Sequence, residues 1–265
     1  TRSLCDWSSD VCSSDLADGV RFRHYTKARD GLGASDVMAV ADAGQGRLWV
    51  GSWEGGLQLF EPGKGVLDTY KSSPADPTTL SSDIVTAIVT GDGPDVWVGT
   101  NERGLSRFDR DQAFKSFTYN PMSPSGLPNP LVWCFAQDSL GRLWAGTSKG
   151  SALLDPRTSA YLPPALSGEI AKESVRAYAP FPGGMWISVR KSGVVRLDFA
   201  TGEVTSISQA PGVSQALANN EARLLLLDPE RRELWIGLSQ GLLLYDTATG
   251  AARRSEEHTS ELQSH

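Results

Sequence analysis

One phrase recurs five times along this chain: an apolar residue, a tryptophan, another apolar residue, then glycine and threonine or serine. A second glycine follows six or seven residues after the tryptophan, and an apolar run then ends near an aspartate. The tryptophans are Trp49, Trp97, Trp144, Trp186 and Trp235, spaced by 48, 47, 42 and 49 residues. A period of this length means that one supersecondary unit is built repeatedly and buries its faces against its neighbours. The fullest copy is Leu143-Trp144-Ala145-Gly146-Thr147 with Gly150 and Leu154-Asp155; in the fourth copy Ser188-Val189 stands where the glycine and threonine or serine are expected, and in the fifth Leu238 follows Gly237.

Each copy sits among short runs of Val, Ile, Leu, Phe and Tyr that are bounded by Gly, Pro, Asp and Ser every eight to twelve residues, which is an all-β signature. The units lie near residues 37–70, 84–119, 131–161, 175–207 and 223–253. Their second strands are apolar on consecutive residues, as in Leu48-Trp49-Val50 and Leu234-Trp235-Ile236, so both faces of the sheet are expected to be covered. The reading is an all-β fold, a β-propeller with five four-stranded blades visible. Phe22–Thr26 is predicted as a lone strand, the fifth unit is predicted to lack its fourth strand, and no segment shows helical spacing. The tryptophan fills the wedge between blades and the following glycine leaves room for close approach.

The two ends do not belong to this pattern. Residues 5–16 (CDWSSDVCSSDL) can be encoded by a DNA string whose reverse complement encodes residues 254–265 (RSEEHTSELQSH), and that string resembles a common sequencing adapter. Residues 1–16 and 254–265 are therefore read as translated library sequence and set aside, leaving 17–253 as the propeller. Without them the net charge of −6 becomes about −2, and Cys134 and His24 are the only cysteine and histidine left.

That composition excludes much chemistry. A lone cysteine between Trp133 and Phe135 reads as a core residue, and His24 as a strand position. No nucleophile with a base can be assembled, so no catalytic residue is assigned. Neither metal nor cofactor is expected. No basic patch points to nucleic acid, and no run reaches the roughly eighteen apolar residues of a membrane span. The repeated Asp109, Asp155, Asp198 and Asp246 are read as turn formers.

If the chain binds a ligand, the loops between second and third strands are the place, since in a propeller they converge on one rim of the central channel. The candidates there are Trp53, Glu54, Asn101, Arg103, Lys149, Arg190 and Lys191. The expected ligand is small and polar, a saccharide or organic acid, stacked on Trp53 and held by the basic residues.

The phrases Leu80-Ser81-Ser82-Asp83-Ile84-Val85-Thr86-Ala87-Ile88, Val96-Trp97-Val98-Gly99-Thr100 and Gly104-Leu105-Ser106-Arg107-Phe108-Asp109 resemble the two-component regulator propeller repeat. The likeness covers nearly all of residues 22–250, and Phe22–Leu32 resembles the family's usual opening segment. It implies a ring of seven or more blades, of which five are seen here. It further implies a periplasmic, ligand-sensing and non-catalytic domain of a bacterial inner-membrane receptor. Such a domain relays to a histidine kinase or diguanylate cyclase module of the same parent chain, in a receptor that can be a homodimer. The rival readings are a secreted propeller enzyme, sialidase-like (Asp138–Trp144 loosely resembles an Asp-box turn) or streptogramin lyase-like, and an interaction scaffold.

Overall fold

Glycine- and aspartate-rich turns cut the chain into short β-branched and aromatic runs. In the computed structural model these runs pair into five four-stranded antiparallel sheets. The structure describes residues 16–17, 20–21, 23–91, 95–109, 113–120, 122, 126–163, 165–210, 212–217 and 221–254. A short pair, β1 (Leu16–Ala17) with β2 (Val20–Arg21), comes first, followed by a one-turn helix, α1 (Lys27–Asp30). Sheet 1 comprises β3 (Val37–Gly44), β4 (Arg47–Ser52), β5 (Gly56–Glu61) and β6 (Gly65–Tyr70). Sheet 2 comprises β7 (Val85–Thr90), β8 (Val96–Thr100), β9 (Leu105–Phe108) and β10 (Phe114–Phe117). Sheet 3 comprises β11 (Val132–Gln137), β12 (Leu143–Thr147), β13 (Gly150–Asp155) and β14 (Ala160–Tyr161). Sheet 4 comprises β15 (Val175–Phe181), β16 (Gly184–Val189), β17 (Gly193–Asp198) and β18 (Val204–Ser206). A five-residue helix, α2 (Val213–Leu217), leads to sheet 5: β19 (Ala222–Asp228), β20 (Glu233–Leu238), β21 (Leu242–Asp246) and β22 (Ala252–Arg254).

Three expectations are corrected. Residues 23–26 form no strand. Thr26 caps α1 instead, its hydroxyl accepting from the Arg29 N–H at 3.3 Å, and Gly31 closes the turn in the left-handed region at φ 78°. Phe22 lies outside the described residues. The fifth sheet does have a fourth strand: the turn after Asp246 brings Ala252, Arg253 and Arg254 back against Tyr245, Leu244 and Leu243. α2 was missed because five residues hold too few turns for a helical period; its Val213 and Ala216 are buried in the core of sheets 4 and 5. The end segments set aside in the sequence lie outside the described residues, except Leu16 in β1 and Arg254 in β22.

The first strands pack successively, β3 on β7, β7 on β11, β11 on β15 and β15 on β19, and so form the inner wall of the arc. Between neighbouring sheets the packing follows one rule. A β-carbon placed on Gly51 of sheet 1 would lie 2.3 Å from Val85 of sheet 2. On Gly99 it would lie 2.8 Å from Val132 of sheet 3, and on Gly146 3.0 Å from Val175 of sheet 4. The glycine of each second strand is thus the seat for the first valine of the next sheet, and Val85, Val132 and Val175 are fully buried. Sheet 4 varies both halves together, because Ser188 replaces the glycine and the smaller Ala222 replaces the valine. The Ser188 hydroxyl then donates to the Ala222 carbonyl at 2.6 Å.

Farther out, the repeated tryptophan meets an aromatic residue near the end of the third strand of the next sheet. Trp49 lies 5.8 Å from Phe108, Trp144 5.8 Å from Phe199, and Trp186 6.0 Å from Tyr245. Trp97 packs on Leu154 and Leu143 in one buried cluster. The two end sheets lack these partners on one face. Val37, the counterpart of Val85, is 42% exposed and Val40 is 54% exposed; at the other end Leu224 and Leu226 are 63% and 62% exposed. Trp235 is half-buried, where the other four repeat tryptophans are buried. The outer part of sheet 1 is covered by the segment around α1, with Tyr25 edge-on to Phe60 at 4.9 Å and Leu32 beside it.

If the glycine seat governs packing, Gly146→Ala should cost about 2–3 kcal/mol, because Cys134 and Val175 must both move. Gly237→Ala faces no further sheet, only Leu224 of its own, and should cost less than about 1 kcal/mol. Urea unfolding of both variants measures the difference; equal losses would contradict the rule.

Candidate ligand-binding rim

The antiparallel register puts the start of each first strand beside the end of the second. A repeated backbone hydrogen bond then ties the following loop to the connection from the preceding blade. Trp53 N–H donates to the Asp36 carbonyl (2.9 Å), Asn101 to Ile84 (3.1 Å), Ser148 to Leu131 (3.1 Å), Arg190 to Ser174 (2.9 Å) and Ser239 to Glu221 (3.1 Å). Five such ties place the second-to-third-strand loops and the interblade connections on one rim.

The residues singled out in the sequence all lie in these loops. Trp53 is 41% exposed and Glu54 is held at φ 60°, its carbonyl accepting from Lys71 Nζ. Asn101 is half-buried. Arg103 lines a cavity of about 380 Å³ together with Glu102 and the Ser72–Ser82 connection. Lys149 is exposed, and its N–H donates to Thr147 Oγ1. Lys191 N–H donates to Glu173 Oε2 at 2.9 Å, a carboxylate that also takes both donors of Ser192. Arg190 Nε lies 2.9 Å from Glu221 Oε1. No hydrogen bond, ion pair or ring contact among the described residues joins Trp53, Asn101, Arg103, Lys149 and Arg190 to one another.

Side-chain contacts from one blade to the next lie just inside the rim. Every first strand carries a β-bulge near its start, and the extra residues are Met38, Thr86, Trp133, Arg176 and Arg223. Thr86 donates to the Val132 carbonyl of the next sheet. The Arg176 guanidinium lies over the Trp133 ring at 3.9 Å, and Arg223 reaches Glu221 at 3.8 Å. Burial lowers the Arg176 pKa from its ordinary value; Glu221 pulls it back up while Arg190 and Arg223 press it further down. No pattern of residues along the chain marks this cluster, because its members sit in three repeats and become neighbours only when the sheets stack.

Elsewhere the polar groups have structural work. Asp138 is buried and stitches its own hairpin: Oδ1 accepts the Leu140 and Arg142 N–H groups, and Oδ2 accepts Arg142 Nε at 2.7 Å and Trp144 Nε1 at 2.8 Å. Asp198 and Asp246 each take two turn N–H groups, and Asp155 takes that of Arg157. These bonds hold all three carboxyls below the usual range. Among the described residues no group of three His, Cys, Asp or Glu could hold a metal ion. On the opposite rim a cavity of about 570 Å³ lies between sheets 2 and 3, lined by Asp95, Trp97, Arg142 and Arg157.

Residues 126–149, which span the third copy of the repeat phrase, match the sequence model of the Two component regulator propeller family. That one copy is thus similar to the two component regulator propeller repeat. The chain's fold is that of propeller-like extracellular domains. One similar structure is the extracellular domain of BT3049 from B. thetaiotaomicron, described as a hybrid two component system; it is 22% identical, with a TM-score of 0.65 over 82% of this chain and 29% of that one. Another is the extracellular domain of BT4673 from the same organism, described as a hybrid two component system, at 17% identity and a TM-score of 0.63 over 82% of this chain and 28% of that one. The chain thus spans under a third of the length of these structures. Comparison with characterised proteins gives no sequence match. No helix among the described residues is long and apolar enough to cross a membrane.

Cys134 packs its thiol against Gly146, and burial pushes its pKa up to about 12. The folded state therefore keeps a proton that the unfolded chain releases near pH 8.5, so this group's contribution to stability should fall as pH rises from about 8.5 towards 12. Mass-resolved alkylation at pH 8 should label Cys134 at least about a hundredfold more slowly in native than in urea-unfolded protein. Equal rates would place the thiol at the surface.

Proposed function

We propose that this chain is the ligand-sensing propeller of a bacterial signal-transduction receptor. It lies outside the cytoplasm, in the periplasm, and is non-catalytic by itself. It passes a ligand-dependent change of geometry to a histidine kinase or diguanylate cyclase module of the same parent protein. The observation that carries this reading is the division of labour within each repeat. Trp, Gly and Val are spent on joining one sheet to the next, while the rim loops, tied down by the same backbone bond in every blade, differ from blade to blade in their side chains. A rigid frame carrying variable loops is the arrangement of a recognition surface. The repeat itself supports the signalling context, and the similar structures are described as extracellular domains of two component systems.

The test is to read the source genome outward from the codons for Ala17 and Arg253. The reading expects an open frame that continues into a membrane helix and a kinase or cyclase module. A stop codon close behind Arg253, with a secretion signal ahead of Ala17, would overturn it in favour of a secreted protein.

A further inference from the structure

We propose that the inner end of the rim, where sheets 3, 4 and 5 meet, binds a small oxyanion-bearing ligand seated on the Arg176–Trp133 stack, with Arg190 and Arg223 beside it. The proposal rests on the sensing role above and specifies its ligand chemistry. Two guanidinium groups meet a single carboxylate there, Glu221, which lies 2.9 Å from Arg190 and 3.8 Å from Arg223. Arg176 also feels all three of those charges. The cluster is therefore positive by two charges, in a chain whose net charge is −6.

Packing alone does not call for an arginine at this point. The equivalent bulge residue of sheet 2 is Thr86, which reaches the next sheet with one hydroxyl. In sheet 4 the position instead carries a long cation laid flat on an indole at 3.9 Å. Stacking fixes the plane of the guanidinium, a planar fork whose N–H groups can meet two oxygens side by side. Trp133 Nε1 and Arg176 Nε are both buried without a protein acceptor, although buried donors are almost always paired. Arg190 and Arg223, at 57% and 65% side-chain exposure, remain able to turn from Glu221 towards an incoming anion. The required chemistry is a carboxylate or phosphate group on a small molecule, a class that guanidinium forks recognise in two-point fashion.

The probes are citrate and inorganic phosphate, titrated calorimetrically into the whole chain at constant ionic strength. Saturable binding of either supports the site and identifies the preferred group. Arg176→Gln should weaken it about tenfold or more, the loss of one charge-assisted pair. Arg157→Gln makes the same charge change on the opposite rim, where Arg157 is 87% exposed, and should leave binding within about twofold. Should Arg176→Gln fail to fold, Glu221→Gln decides. Removing the internal carboxylate should tighten binding several-fold, and the charge-matched Glu203→Gln should not. Three results would overturn the proposal: no saturable binding of either anion, equal weakening by Arg176→Gln and Arg157→Gln, or unchanged binding in Glu221→Gln. None of these touches the sensing role, which stands or falls with the coding sequence beyond Arg253.

Discussion

The structure depends on a single close contact, repeated: a glycine on the second strand of one sheet receives a valine from the first strand of the next. Gly51 with Val85, Gly99 with Val132 and Gly146 with Val175 bring the sheets to a separation that any side chain at the glycine would prevent. The tryptophan two residues earlier sets the spacing farther out, against Phe108, Leu154, Phe199 or Tyr245. A small residue inside and a large one outside make the wedge from which a curved stack of sheets is built. The exception supports the rule, since Ser188 is accompanied by Ala222 and the lost glycine is matched by a lost valine.

The same contact explains the two ends. Among the described residues, Val37 and Val40 present the inserting half with no glycine to receive them, while Gly237, Leu224 and Leu226 present the receiving half. Sheet 1 is partly closed by Tyr25 and Leu32, which stand against Phe60 as a neighbouring tryptophan would. The inner part of that face stays open, and so does the outer face of sheet 5. Exposed apolar faces of this kind are association surfaces, and on this ground the isolated chain is expected to be least ordered at its first and last sheets.

Much of this was legible in the sequence, because the interaction that builds the fold is the one that repeats. Trp49 to Trp235 gave the sheets, their order and the position of the second strand. Asp155, Asp198 and Asp246 were legible as turn formers for the same reason. What escaped was local or interblade. Thr26 chose to cap a helical turn where alternation suggested a strand, and Ala252–Arg254 pairs at an edge where almost any backbone can. The rim illustrates the second kind. Trp133 with Arg176, and Glu221 with Arg223, lie in three repeats and stand near one another through bulges that leave no mark in the residue pattern.

Hydrogen exchange read by mass spectrometry on the whole chain tests the central claim most directly, because it reports how firmly each sheet is held. If the glycine–valine seat is what joins the sheets, amides of β7, β11 and β15, covered on both sides, should exchange slowest. Those of β3 and β19 should exchange about tenfold to a hundredfold faster. Protection of β3 and β19 equal to that of β11 would contradict the account, since it would mean that sheets lacking a neighbour are held as firmly as sheets that have one.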